Sequence, residues 1–211
     1  ALLVVSHEVS GTIAVYTVDA ANAQLPSMLT IMHNNDGESQ LLQSSAGPQW
    51  GGVANFKFKV DSLRMKAFEA KSSSIMLSSG DNFLPGPEFN ASLNLPPDQP
   101  YYDAVAMDQI GYDAVCIGNH DFDFGPDVLE KFIRDYSMTQ PPYLSANLDF
   151  SLEPGLQDLV DNGRIAASAV VNLNGTYVGV VGLTTPDLNF ISSPRDVIVN
   201  DDIVNIAQDE I

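Results

Sequence analysis

Apolar residues along this chain fall into short β-type runs separated by stretches of helical spacing, and that alternation predicts the architecture. Residues 1–19 alternate and are rich in β-branched side chains, Val4 and Val5 first, then Thr12, Ile13, Val15 and Thr17. Glu8-Val9-Ser10-Gly11 reads as the turn of a hairpin between them. Residues 20–27 have linker composition. A compact apolar strand over 28–32 then stops at a polar run from His33 to Ser39. Val53, Phe56, Val60, Leu63 and Ala67 recur at helical spacing, and residues 74–78 make a further strand closed by Gly80-Asp81. Proline and glycine crowd residues 85–100, which predicts a long loop. Residues 102–110 read as a helix stopped by Gly111, and 114–117 as a buried strand. Pro126 opens a helix with Val128, Leu129, Phe132, Ile133 and Tyr136 on one face, followed by a strand over 143–148. Asn174-Gly175 between two β-type runs, 166–173 and 177–183, predicts a hairpin, and Asp202 begins a last helix-like segment. Strands alternating with helices plus an added hairpin predict an α/β layered sandwich.

Composition narrows the function classes. The 211 residues suffice for one substantial domain with a real core. With 27 acidic and 9 basic residues the formal charge is −18, which disfavours nucleic-acid polymers and anionic membranes as partners. The same charge repels a phosphate ester unless bound cations reverse the sign locally, although acidic surfaces are also common in secreted and salt-adapted proteins. A single cysteine, Cys116, excludes an internal disulfide framework and reads as a core thiol. No apolar run reaches transmembrane length. The first residues lack signal-peptide features and an initiator Met, and the last lie within a helix-like segment, so the chain reads as part of something longer.

Three polar clusters close strand-like segments, as a site on the carboxyl edge of an α/β sheet requires. Asp36 and Glu38 lie two apart, so in an extended segment both carboxylates face one side, though taken alone the segment reads better as a solvated loop or Asx turn. Asp81 stands between Gly80 and Asn82, where glycine lets the backbone turn sharply and lets metal approach; an ordinary turn has the same signature. Gly118-Asn119-His120-Asp121-Phe122-Asp123-Phe124-Gly125 is more specific, because it puts an amide, an imidazole and two carboxylates on one short loop. Asn119 offers a neutral oxygen to a metal, His120 can hold a proton for a departing alkoxide, and Asp123 can orient that imidazole. Asp121 reads as a capping or surface residue.

These blocks, Thr30 to Glu38, Leu77 to Phe83, Gly111 to Gly125, Leu144 to Asn147 and Val178 to Pro186, resemble in order those of the 5′-nucleotidase branch of the calcineurin-like metallophosphoesterases. The resemblance implies an incomplete α-β-β-α sandwich over 28–211. It implies two divalent metal ions, with Asp36 serving one, Asp81 bridging and Asn119 serving the other. His120 and Asp123 match the family's catalytic dyad, with Asn119 and His120 contacting a small phosphorylated substrate, nucleotide-like, in a secreted or periplasmic setting. Residues 1–19 resemble the closing hairpin of a propeller-like domain that precedes phosphatase modules in some large bacterial secreted proteins, so covalently linked upstream and downstream domains are expected.

Two departures stand out. Glu38 occupies the position where the family usually has histidine, and is expected still to bind metal, at the cost of one more negative charge in the cluster. The family's later histidine blocks are absent. His7 lies in the hairpin and His33 is suited at most to a supporting role, so weak metal binding and little turnover are expected of these residues alone. A cyclic-nucleotide phosphodiesterase, a broad alkaline phosphatase or a sulfur-ester hydrolase fits the same fold. A non-catalytic extracellular module is the alternative of a different class.

Overall fold

The computed structural model describes residues 2–7, 12–17, 28–43 and 51–210; the linker expected at 20–27 and the turn at 8–11 lie outside them. Along the chain come β1 (Leu2–His7), β2 (Thr12–Thr17), β3 (Leu29–Asn34), α1 (Val53–Glu69) and β4 (Ser73–Ser78). Next are α2 (Pro87–Leu93), α3 (Tyr102–Ile110), β5 (Ala114–Cys116), α4 (Pro126–Arg134), β6 (Tyr143–Leu144), β7 (Leu148–Asp149) and α5 (Pro154–Asp161). The chain then runs through β8 (Ile165–Ala166), β9 (Ser168–Leu173), β10 (Thr176–Leu183), α6 (Leu188–Ile191), β11 (Ile198–Val199) and α7 (Ile203–Asp209).

Five parallel strands make the first sheet, in the order β3-β4-β5-β6-β8. Strands taken in chain order through right-handed crossovers place their connecting helices on one face. The period-2 alternation of strand side chains then divides the core. Met32, Met76, Val115, Tyr143 and Ile165 pack with helix residues such as Val60, Met107, Leu129 and Leu156. Their neighbours Ile75, Leu77, Ala114 and Leu144 face the opposite way, onto Leu173, Val178 and Val180 of the β9–β10 hairpin. That hairpin turns at Asn174-Gly175, both with positive φ, as the sequence predicts. α7 lies against Val181 and Leu183 of the second sheet through Ile203 and Ile206. The layered α/β sandwich expected from the sequence is therefore present. The hairpin at the start is present too: β1 and β2 pair antiparallel, and β1 runs parallel to β10, giving a second sheet of order β2-β1-β10-β9.

Two expectations need correction. The Pro/Gly-rich stretch 85–100 is not a plain loop, because Pro87 takes the first position of α2, where its missing N–H costs nothing. The strand expected over 143–148 ends after Leu144: the Ser145 amide still reaches the Ala166 carbonyl at 3.0 Å, but the Ala146 amide turns to Gly182 of the second sheet at 2.8 Å, and the side chains of Ser145 and Asn147 bond with Thr184. α2 also fixes the loop at the carboxyl end of β4. Its Phe89 stacks on Phe83, centroids 4.4 Å apart, and Phe83 stacks on Phe132 at 4.6 Å, which anchors the chain two residues after Asp81.

Candidate active site

The carboxyl ends of β3, β4 and β5 lie side by side, and the backbone draws their loop tips together. Asp36 N–H donates to the Gly80 carbonyl at 3.3 Å, Glu38 N–H to Asp81 at 3.0 Å and Ser39 N–H to Asn82 at 3.0 Å. His120 N–H donates to the Asp81 carboxylate at 2.7 Å, so the third tip closes on the second. Gly80 (φ +100) and Gly118 permit this approach. A Cβ on Gly80 would meet the Gly118 nitrogen at 2.6 Å, and a Cβ on Gly118 would overlap the Asp81 carboxylate. Asp36, Glu38, Ser39 and Asp81 all hold left-handed φ between 49° and 55°, a conformation that non-glycine residues adopt at a cost. The extended geometry that put the Asp36 and Glu38 carboxylates on one side is therefore not the real one: both residues turn, so that their amides can reach the β4 loop.

Acidic charge accumulates at this edge, with the His120 imidazole set against it. Asp81 is almost fully buried. Burial pushes its pKa up to about 6, and the charges of Asp36 and Asp123 add to the shift against the His120 amide. No lysine or arginine among the described residues pairs with Asp36, Asp81 or Asp123. Beside this cluster, His120 Nδ1 lies 2.6 Å from Asp123 Oδ2. Burial alone would lower the His120 pKa. The hydrogen bond and charge of Asp123, with Asp81 and Glu38 behind it, leave it raised above the usual imidazole value. Phe122, wholly buried between them in chain order, anchors the His120–Phe122 turn that sets the pair.

The remaining residues sort clearly. Asp121 is buried, not a surface residue, and its carboxylate accepts the Gly118 amide at 2.7 Å, which tightens the loop. His33 is exposed on β3, and the side chain of His7 lies outside the described residues. Cys116 is buried in β5. Asn147 is a structural amide: it donates to the carbonyls of Thr184 (2.9 Å) and Asn200 (3.1 Å) and accepts from Thr184 N–H at 2.9 Å. A cavity of about 480 Å³ opens beside Asp36 and Asn82 toward Val53, Phe56, Asp103 and Met107, but neither His120 nor Asn119 lines it. Sequence reading missed Ser192, whose hydroxyl donates to Asp123 Oδ1 at 2.9 Å. It lies far along the chain in a polar loop without a motif, so no local signal marks it.

The donor set suits hard cations only in part. Carboxylates and an amide oxygen are hard donors of the kind divalent cations take. Yet among the described residues no three His, Cys, Asp or Glu side chains are gathered as a ready-made metal site.

No family model matches the chain. It is 31% identical to the 5′-nucleotidase of Rattus norvegicus over 194 residues, which cover 87% of this chain and 31% of that protein. It is 29% identical to the trifunctional nucleotide phosphoesterase protein YfkN of Bacillus subtilis over 206 residues, 87% of this chain and 13% of that one. The crystal structure of the 5′-nucleotidase precursor from Thermus thermophilus superposes with a TM-score of 0.68 at 33% identity, covering 86% of this chain and 33% of that one. Its homologues are 5′-nucleotidases and calcineurin-like phosphoesterases. The sandwich matches the amino-terminal domain of that phosphoesterase fold, and the chain spans a third or less of these three relatives. The order of acidic, glycine-flanked and Gly-Asn-His strand ends that suggested this family in the sequence is the order along the sheet edge.

Proposed function

We propose that this chain carries part of the active site of a metal-dependent hydrolase of phosphomonoesters, 5′-nucleotidase-like, in an extracellular or periplasmic protein. The observation that carries the reading is the hydrogen-bonded His120–Asp123 pair standing against an acidic cluster that has no lysine or arginine partner among the described residues. Asp36, Asp81 and Asn119 would hold two divalent cations, with Glu38 in reach as a further ligand. Bound there, the cations would polarise the phosphoryl group and supply a nucleophile at neutral pH.

The protein's own groups handle the proton. Asp123 accepts from Nδ1, which leaves Nε2 as the atom that carries the transferable proton; the raised pKa of the ring favours its protonated form. Nε2–H then passes its proton to the ester oxygen as the P–O bond breaks, so the alcohol leaves neutral and His120 ends as the free base. Asn119 and His120 contact the phosphate. The chain organisation that goes with this reading has a preceding β domain contributing the hairpin of 1–19, docked on the edge of β10, a linker at 20–27 and the catalytic portion from 28 onward.

The test is hydrolysis of nucleoside 5′-monophosphates, a 2′,3′-cyclic nucleotide and p-nitrophenyl phosphate by the natural parent protein with added manganese. His120→Asn is expected to lower kcat by about 10²–10⁴-fold, the usual contribution of a general acid. Parent-level turnover by the variant on every substrate contradicts the assignment.

A further inference from the structure

The segment after β10 runs across the mouth of the His120–Asp123 loop and is fastened along its length. Leu188 of α6 is wholly buried, and Val197 is buried at the far end. Between them Arg195 grips Asp127 with two hydrogen bonds, 2.8 and 2.9 Å, and reaches Glu153 at 3.0 Å. The amide of Asp196 donates to the other oxygen of Glu153 at 3.1 Å. Asp127 sits in the first turn of α4, four residues after Asp123, so the strap is tied to the very junction that bears the catalytic carboxylate. Arg195 and Asp127 are both well exposed, and exposed ion pairs add little stability. What a planar, two-point pair does supply is fixed geometry.

That geometry delivers one polar side chain. Ser192 ends α6 in an extended conformation, and its hydroxyl donates to Asp123 Oδ1 at 2.9 Å while Oδ2 faces His120 Nδ1 at 2.6 Å. A carboxylate held through one oxygen can still rotate about its Cβ–Cγ bond, where the torsional wells are broad. Held through both oxygens by groups on separate elements, its plane is set. We infer that Ser192 is a positioning residue for the His120–Asp123 pair, holding the carboxylate so that Nδ1–H keeps its partner and Nε2 stays aimed at the leaving oxygen. The inference rests on the hydrolase reading for its purpose, though not for its structural content.

Three histidines make the test direct. Long-range proton–nitrogen spectra of ring-labelled protein read each tautomer from carbon-bound ring protons, whatever the N–H exchange rate, and His120→Asn assigns the signal. At fixed pH, Ser192→Ala and Ser192→Cys, whose thiol is a weak donor, are expected to move the His120 ring nitrogens toward the pattern of Asp123→Asn. Ser192→Thr, which keeps the hydroxyl, is expected to match the parent. In the parent protein the Ala and Cys variants are expected to lose about tenfold in kcat at unchanged KM, the effect of one hydrogen bond to a charged group. Folded Ala and Cys variants whose His120 nitrogens overlay the parent overturn the inference, as does a Thr variant displaced as far as Ala. If no substrate is turned over, the hydrolase reading fails while the nitrogen spectra still decide the positioning role.

Discussion

Two groups of strand ends in this sandwich are rich in polar residues, and they behave oppositely. At the ends of β6 and β10, Ser145, Asn147 and Thr184 satisfy one another: Ser145 and Thr184 hydroxyls meet at 2.8 Å, Thr184 Oγ1 donates to the Ile117 carbonyl at 2.7 Å, and Asn147 bridges both strands. This end is neutral, buried and closed. At the ends of β3, β4 and β5 the polar groups are acidic, the loops after β3 and β4 are held in left-handed turns, and among the described residues no lysine or arginine pairs with Asp81, which faces the charge of His120 instead. The first cluster spends its hydrogen-bonding capacity on the fold. The second sets several carboxylates against one imidazole, and such clusters of perturbed titratable groups mark functional sites more often than structural ones. Polarity at a strand end is therefore not the signal; unbalanced charge in a tightly built turn is.

Removing Asn147 breaks the closed end. Asn147→Ala strands the buried carbonyl and amide of Thr184 and frees the carbonyl of exposed Asn200, for an expected loss of about 3 kcal/mol in urea unfolding with manganese affinity unchanged. An equal loss of metal affinity would erase the distinction between the two ends.

A smaller effect sharpens the comparison from within one helix. Asp103 and Asp108 are both buried on α3. Asp108 accepts from the amides of Ser137, Met138 and Thr139 and from the Thr139 hydroxyl; against burial, these bonds hold its pKa down to about 2. Asp103 has no comparable set of donors, with only the Ser39 hydroxyl and its own amide opposing burial, which pushes it up to about 6. A raised carboxyl pKa means that the folded state keeps its proton to higher pH than the unfolded chain. Asp103 therefore costs stability progressively as pH rises from about 4 to about 6. Asp103→Asn is expected to stabilise the protein at pH 7 by about 1–2 kcal/mol and to flatten the decline over that window in pH-dependent unfolding. A variant less stable at pH 7 than the parent would show that the buried charge is compensated.

Much of this was legible in the residues because it is local. The α3 boundaries follow from periodicity and a left-handed Gly111, and the Gly-Asn-His-Asp loop carries its own chemistry over eight positions. The misreadings are non-local. Pro87 signals a break and a helix start equally well, and only the Phe83–Phe89 stack decides between them. Asp36 and Glu38 look extended until the β4 loop claims their amides. Ser192 meets Asp123 because buried anchors and Arg195 carry a distant segment across the site, and no spacing rule encodes that meeting.

The most direct measurement is calorimetric titration of manganese into the parent protein and into Asp81→Asn, Asp36→Asn, Glu38→Gln and Asn147→Ala. The expected result is binding that disappears in the Asp81 variant, weakens in the Asp36 and Glu38 variants and is unchanged in the Asn147 variant. Parent-like manganese affinity in Asp81→Asn would contradict a cation site built on the β3, β4 and β5 loop tips.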